Sequence, residues 1–175
     1  MLRVFVLAML FVPVTLFGAP RTVDWLDLLP EEDYQAMLDM PEIDHQWGTE
    51  APGDFSTGMR QQSRTLPDVM YSTRVVGELA GQQLQIGGYP VPLETNSRGD
   101  YTTFFLVPYA GACIHVPPPP PNQIILVEYA KGVTIDDIYT PFWVSGVLQV
   151  DQTSNELADA SYRIDAQRVW EYDGD

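Results

Sequence analysis

Cysteine, histidine and positive charge are all scarce in this chain. Among 175 residues there are one cysteine, two histidines and nine Lys or Arg, against 24 Asp or Glu. A single thiol cannot close an internal disulfide. Cys113 must therefore be buried and inert, bound to something, reactive, or paired with another chain. The net charge of −15 repels phosphate backbones and anionic head groups, which sets nucleic acid and membrane surfaces aside as partners. Cations, or a basic patch on another protein, suit such a surface better. The same charge also serves simply to keep a secreted protein soluble.

Long apolar runs are missing too, with one exception. Val4 to Phe17 is almost wholly apolar and follows the positive charge of Arg3. Its 14 residues fit a secretory signal and fall short of the ~20 that a permanent membrane helix needs. Pro13 weakens a lasting span further. Gly18 and Ala19 are small, and Pro20 disfavours cutting after Ala19, so cleavage is expected after Gly18 despite the bulky Leu16. The cysteine of a lipoprotein signal is missing there. The expectation is a soluble exported chain, not inserted in the membrane once mature; the alternative is an uncut N-terminal anchor. Removal of residues 1–18 leaves eight basic residues against 24 acidic ones, a net charge of −16.

From Thr22 to Met59 there are ten acidic residues and no Lys or Arg. Within that stretch Pro30-Glu31-Glu32-Asp33 reads as a helix start, since proline and acids both suit a first turn. Tyr34, Met37 and Leu38 follow at helical spacing, and Pro41 stops the helix. Residues 48–67, rich in Gly, Ser, Thr and Gln, read as a long loop. Trp25, Leu28 and Leu29 are expected to pack this arm onto the main domain.

From Arg74 onward the pattern turns to short strands divided by turn signals. Candidates are Arg74–Leu79, Gln82–Leu93, Thr102–Pro108, Gln123–Tyr129, Phe142–Val150 and Ala160–Tyr172. Gly77, Gly87-Gly88 and Gly146 inside these runs mark bends or bulges. Five or six bent strands in about 100 residues predict a mainly β chain, a small closed barrel of the oligonucleotide/oligosaccharide-binding (OB-like) type. A β-sandwich is the alternative. The domain reading is a signal peptide at 1–18, an acidic arm at 19–70 and a barrel at 71–175.

The least ordinary stretch is Tyr109 to Asn122, YAGACIHVPPPPPN. Cys113 and His115, two apart on an extended backbone, share a face. Thiolate and imidazole both ligate zinc, at about 2.3 and 2.0–2.1 Å, and copper(I) also favours the thiolate. His45 is the remaining soft or borderline ligand, so a four-coordinate site needs a carboxylate or water as well. The Pro117–Pro121 run is expected to be a polyproline II rod outside any regular sheet. Two other readings stand beside a metal site. One is a buried Cys with a His satisfied by carbonyls; the other is a nucleophile activated by His115. The Gly-Ala-Cys-Ile-His run resembles the cysteine loop of L,D-transpeptidases, but there the histidine lies upstream and an arginine follows, and neither holds here. Glu94, after Tyr89-Pro90-Val91-Pro92, lies either near the Cys/His face or on an edge strand, where prolines belong. Phe142, Trp143, Tyr162, Trp170 and Tyr172 read as core aromatics or, alternatively, a ligand platform.

IGGYPVPLE at 86–94, TFFLVPYAGACIHVPPPPPNQIILV at 103–127 and FWVSGVL at 142–148 resemble the DUF3299 family of bacterial exported proteins. The likeness spans roughly residues 72–172. It implies an OB-like barrel and a periplasmic location, with no established catalytic residue to carry over. Some members are encoded beside an ABC-transporter permease and ATPase and a His-rich periplasmic zinc-binding protein. That implies a role in metal homeostasis, chiefly zinc, with a transporter component or a periplasmic metal-binding protein as partner. The competing class is a non-catalytic interaction module that docks on a transporter's periplasmic part. A cysteine-dependent cell-envelope enzyme is a third.

The export reading carries its own test. N-terminal sequencing of protein from the native secretion route should begin near Ala19, in the soluble fraction; full-length chain in the membrane fraction contradicts it.

Overall fold

In the computed structural model the described residues are 19–40, 66–112 and 118–172. Among them the elements run β1 (Arg21–Thr22), α1 (Glu31–Leu38), β2 (Gln83–Thr95), β3 (Tyr101–Val107), β4 (Ile125–Val133), β5 (Phe142–Ser154) and β6 (Asp159–Glu171), joined by short 3-10 turns. The strand order β2-β3-β4-β6-β5 closes because β2 also pairs with β5. Every pairing around this ring is antiparallel except β4 with β6, whose parallel register sets Ile125 against Tyr162. The result is the expected OB-like closed barrel of five strands, with β1 added parallel to the start of β2.

Closure depends on one long strand serving two neighbours. Gln83–Gly88 pairs with β5 and Tyr89–Thr95 with β3, so β2 passes from one wall of the barrel to the other at Gly88/Tyr89. A Cβ on Gly88 would lie 2.8 Å from both the Leu106 side chain and the Val107 carbonyl, so the crossing leaves room for glycine alone. Beyond it, Pro90 and Pro92 sit where β2 has a partner on one side only among the described residues. Proline lacks a donor for a second ladder, so the edge placement follows.

The barrel interior is filled by alternate residues: Leu84 and Ile86, Phe104 and Leu106, Ile125 and Val127, Val144 and Leu148, Tyr162 and Ile164. A second apolar cluster lies on the other face of the same wall, with Phe105, Val107, Ile124 and Leu126. Burial on both faces explains why β3 reads Phe-Phe-Leu-Val without alternation.

Three expectations are revised. Arg74–Leu79 is not a strand: Gly77–Leu79 is a 3-10 turn, and the Val76 N–H donates to the Tyr162 hydroxyl at 2.7 Å, a side chain in place of a ladder carbonyl. The helix is where the sequence put it, but Asp33 is its buried residue and Leu38 is 62% exposed. The proline run leaves the polyproline form at Pro121, the first residue of a 3-10 turn through Gln123. Pro118–Pro120 stay outside the sheet as expected, and Pro117 lies outside the described residues. The arm packs as anticipated, with Leu28 in the core and Leu29 buried. No helix of the described residues is long and apolar enough to cross a membrane.

Gly146 gives the sharpest test of this packing. At the register shift in β5 an added Cβ would stand 2.3 Å from the Asp165 carbonyl and 2.8 Å from the Ala166 Cα. Backbone on the facing strand cannot swing aside, so Gly146→Ala should destabilise by about 3 kcal/mol, read from urea unfolding.

Candidate functional site

Ser72, Arg74 and Asn122 converge on one buried carboxylate, that of Asp33. The Ser72 hydroxyl donates to Asp33 Oδ2 at 2.6 Å, the Asn122 amide donates to the same oxygen at 2.8 Å, and Arg74 Nη2 donates to Oδ1. Arg74 also pairs outward with Glu32 at 2.9 Å. Burial acts to raise the pKa of Asp33, yet the bonds from Arg74, Ser72 and Asn122 and the Arg74 charge together hold it below its ordinary value. In return Asp33, foremost, raises the pKa of the Arg74 guanidinium.

These contacts fasten the exit of the proline run. The Asn122 N–H donates to the Ser72 carbonyl at 3.2 Å, and its amide also donates to the Arg74 carbonyl at 3.0 Å. Gln123 Nε2 donates to the Trp25 carbonyl at 2.9 Å. Tyr162, buried in the barrel, donates its hydroxyl to the Leu28 carbonyl at 2.9 Å. Burial is the main reason that its own pKa is raised. Arm, proline run and barrel are thus bonded through polar groups that are nearly all inside.

Beside the fastened segment lies a groove of about 90 Å³. It is lined by Met70 and Tyr71, by Pro118 and Pro119, by Leu157 from the connection between β5 and β6, and by Asp159 at the start of β6. Pro119 and Pro120 are buried, so the run is a wall and not a displayed ligand.

The candidate metal ligands Cys113, His115 and His45 lie outside the described residues. The residues flanking the pair are placed: Ala112 is 1% exposed in the outer apolar cluster, and Pro118 lines the groove. Among the described residues no three His, Cys, Asp or Glu are grouped to hold an ion. Glu94 is exposed on the β2–β3 hairpin, where its carboxylate accepts from the Thr103 hydroxyl at 3.3 Å. The five aromatics divide. Phe142 and Tyr162 are core, whereas Trp143, Trp170 and Tyr172 form a contact group outside it. In the sequence Asp33 reads only as an acid of the helix's first turn, because nothing distinguishes it from Glu31 and Glu32 before it.

The sequence profile of the family described as "Protein of unknown function (DUF3299)" matches residues 25–171. The chain belongs to the DUF3299 family. The match takes in the arm from Trp25 as well as the barrel, a longer span than the sequence resemblance alone indicated. A crystal structure of a DUF3299 family protein from Pseudomonas aeruginosa is similar at 41% identity and a TM-score of 0.66, over 90% of this chain and 99% of that one. A small single-stranded DNA-binding protein from Streptomyces coelicolor is a far weaker neighbour: 13% identity, TM-score 0.31, over 53% of this chain and 94% of its own. Comparison with curated proteins finds no match.

The buried carboxylate yields a prediction for this DUF3299 chain. Its folded pKa is depressed, so its stabilising contribution is complete above the unfolded value near ~3.9 and is lost as pH falls through the lower folded value. Melting temperature should therefore drop below about pH 4. Asp33→Asn should reduce stability at neutral pH by about 1–3 kcal/mol and flatten that acid limb, as measured by thermal melts from acid to neutral pH.

Proposed function

We propose that this DUF3299 protein is a periplasmic accessory protein of metal handling. Cys113 and His115 bind or pass a divalent cation, zinc foremost, with His45 as a further ligand. The observation that supports this is how the chain is held on either side of the pair. Ala112 is buried in the outer cluster, Pro118 lines the groove, and Asn122 is bonded to Asp33. Fixing both ends of a short segment lowers the entropy lost when its two ligands are drawn onto one ion. The donor set fits the metal: zinc accepts thiolate and imidazole together, and carboxylate oxygen besides. A zinc ion here would crosslink the two side chains and hold the thiol ionised.

A second reading, a non-catalytic module docking on a transporter's periplasmic component, draws on the groove itself. Two of its lining residues, Tyr71 and Leu157, are 40% and 44% exposed, so a partner seated in the groove would cover both.

Zinc titration of the mature protein with its thiol reduced separates the two. The first reading expects the melting temperature to rise with zinc near neutral pH. Cys113→Ser and His115→Ala should abolish that rise, and His45→Ala should weaken it less. Binding should fall below about pH 6, as imidazole with a reference pKa of ~6.5 takes up a proton. A melting temperature that neither zinc nor copper shifts overturns the metal reading and leaves the docking module.

A further inference from the structure

Three aromatic rings stand on the outside of the barrel, where β2, β5 and β6 run side by side. Trp143 of β5 is paired in register with Trp170 of β6, and their ring centroids are 6.5 Å apart at 27°. Tyr172 lies 5.6 Å from Trp143, tilted by 45°. On the far side Gly87 of β2 is the register partner of Trp143. A Cβ on Gly87 would be 3.3, 3.4 and 3.5 Å from three successive atoms of the Trp143 ring. Near-equal distances mean that a face of the indole, not its edge, rests on the β2 backbone. Its other face is turned away from the barrel. Trp170 is stacked with it at that shallow angle, so the two indoles and the tilted Tyr172 form one aromatic group.

The surroundings are polar. Arg168 holds its guanidinium over the Trp170 ring, 4.3 Å from its centre. Gln85 is half-buried next to Gly87 along the same strand face, and Gln83 and Gln167 exchange two amide hydrogen bonds, of 3.0 and 3.3 Å, between β2 and β6. Tyr172 remains 41% exposed. None of the side chains in the two apolar clusters lies on these rings.

We propose that this face binds an uncharged glycan chain, whose sugar rings lie on Trp143, Trp170 and Tyr172. Three features favour that ligand. The C–H face of a pyranose gains dispersion and burial on an aromatic face, while its hydroxyls need hydrogen-bond partners nearby; Gln85, on the same strand face, and the guanidinium N–H groups of Arg168, which lies over Trp170, are such partners. The charge of −15 disfavours polyanions, so a nucleic acid strand that would also stack on aromatic rings is repelled by its backbone. Three rings, two of them already half-buried, offer far less than the ~800 Å² per partner of a stable protein interface. The proposal does not rest on Cys113 or His115 and stands whether or not they bind metal.

The test uses the mature protein and three probes: N-acetylglucosamine tetraose, cellotetraose and an oligothymidylate. Indole N–H resonances of Trp143 and Trp170 are followed by NMR. A saturable shift of these two signals with at least one tetraose, and none with oligothymidylate, is expected. Trp170→Ala should weaken binding about tenfold, the loss of one ring's contact. Tyr172→Ala, at an exposed position, should weaken it several-fold with the melting temperature unchanged, which separates ligand contact from folding. Failure of both tetraoses to shift either signal overturns the proposal. So does undiminished binding in both variants, or a response to oligothymidylate alone.

Discussion

A carboxylate with no exposure to solvent keeps its charge only if the protein supplies what water would have. Asp33 is such a group, and the arrangement of the arm follows from its needs. Leaving it unpaired inside would cost several kcal/mol, so Ser72, Asn122 and Arg74 have to converge on it. The carboxylate and its donors come from three places in the chain, dozens of residues apart: Asp33, the pair Ser72 and Arg74, and Asn122. Meeting at one point, they bring the arm helix, the segment after Tyr71 and the end of the proline run together. Apolar packing alone is tolerant of small slips; a buried charge with directional donors is not. Specificity of the arm's seat therefore rests on this carboxylate, and bulk stability on Leu28 and the barrel core.

The barrel supplies the other half of the arrangement. Because β2 serves both β3 and β5, the ring closes with five strands, and its interior is only wide enough for side chains. Tyr162 occupies that interior, yet its hydroxyl reaches the Leu28 carbonyl and the Val76 N–H. Both of those backbone groups belong to irregular chain, which has no ladder to satisfy it. A single phenol in the core thus lets two non-repetitive segments lie against the barrel without leaving buried polar groups unpaired.

Five of the six strands that the sequence suggested are present, because alternation and glycine-marked turns are local signals. Arg74–Leu79 misled for a reason that is not local: Val75 and Val76 have the composition of a strand, but the donor of Val76 is taken by a tyrosine 86 residues away. The helix misled in a different way. Tyr34, Met37 and Leu38 have the spacing of a packing face, and the structure instead turns Asp33 inward because its partners lie there. Local pattern marks where an element forms; which face it buries depends on what waits opposite. The candidate metal ligands were legible only as a Cys-x-His spacing in a distinctive block. What the structure adds is the fastening of their neighbours, which arises from long-range bonds that no local motif encodes.

The outside of the barrel is not uniform, and the difference bears on where ligands can act. Along β3 and β4 the outer side chains are Phe105, Val107 and Leu126, all buried in the second apolar cluster together with Ala112 and Ile124. That sector is covered by the chain itself, and Ala112, the residue before Cys113, is part of it. Around β2, β5 and β6 the outer side chains are instead Gln85, Trp143, Arg168 and Trp170, amphipathic groups that tolerate water at one end and apolar contact at the other. Side chains of this kind cover a sheet without needing a further layer over them. Both sectors lie on one closed ring of strands, so side chains on either can change without altering the pairing that holds the barrel. The outer apolar cluster and the aromatic face are thus independent sectors, each carried by the barrel and neither required for its closure.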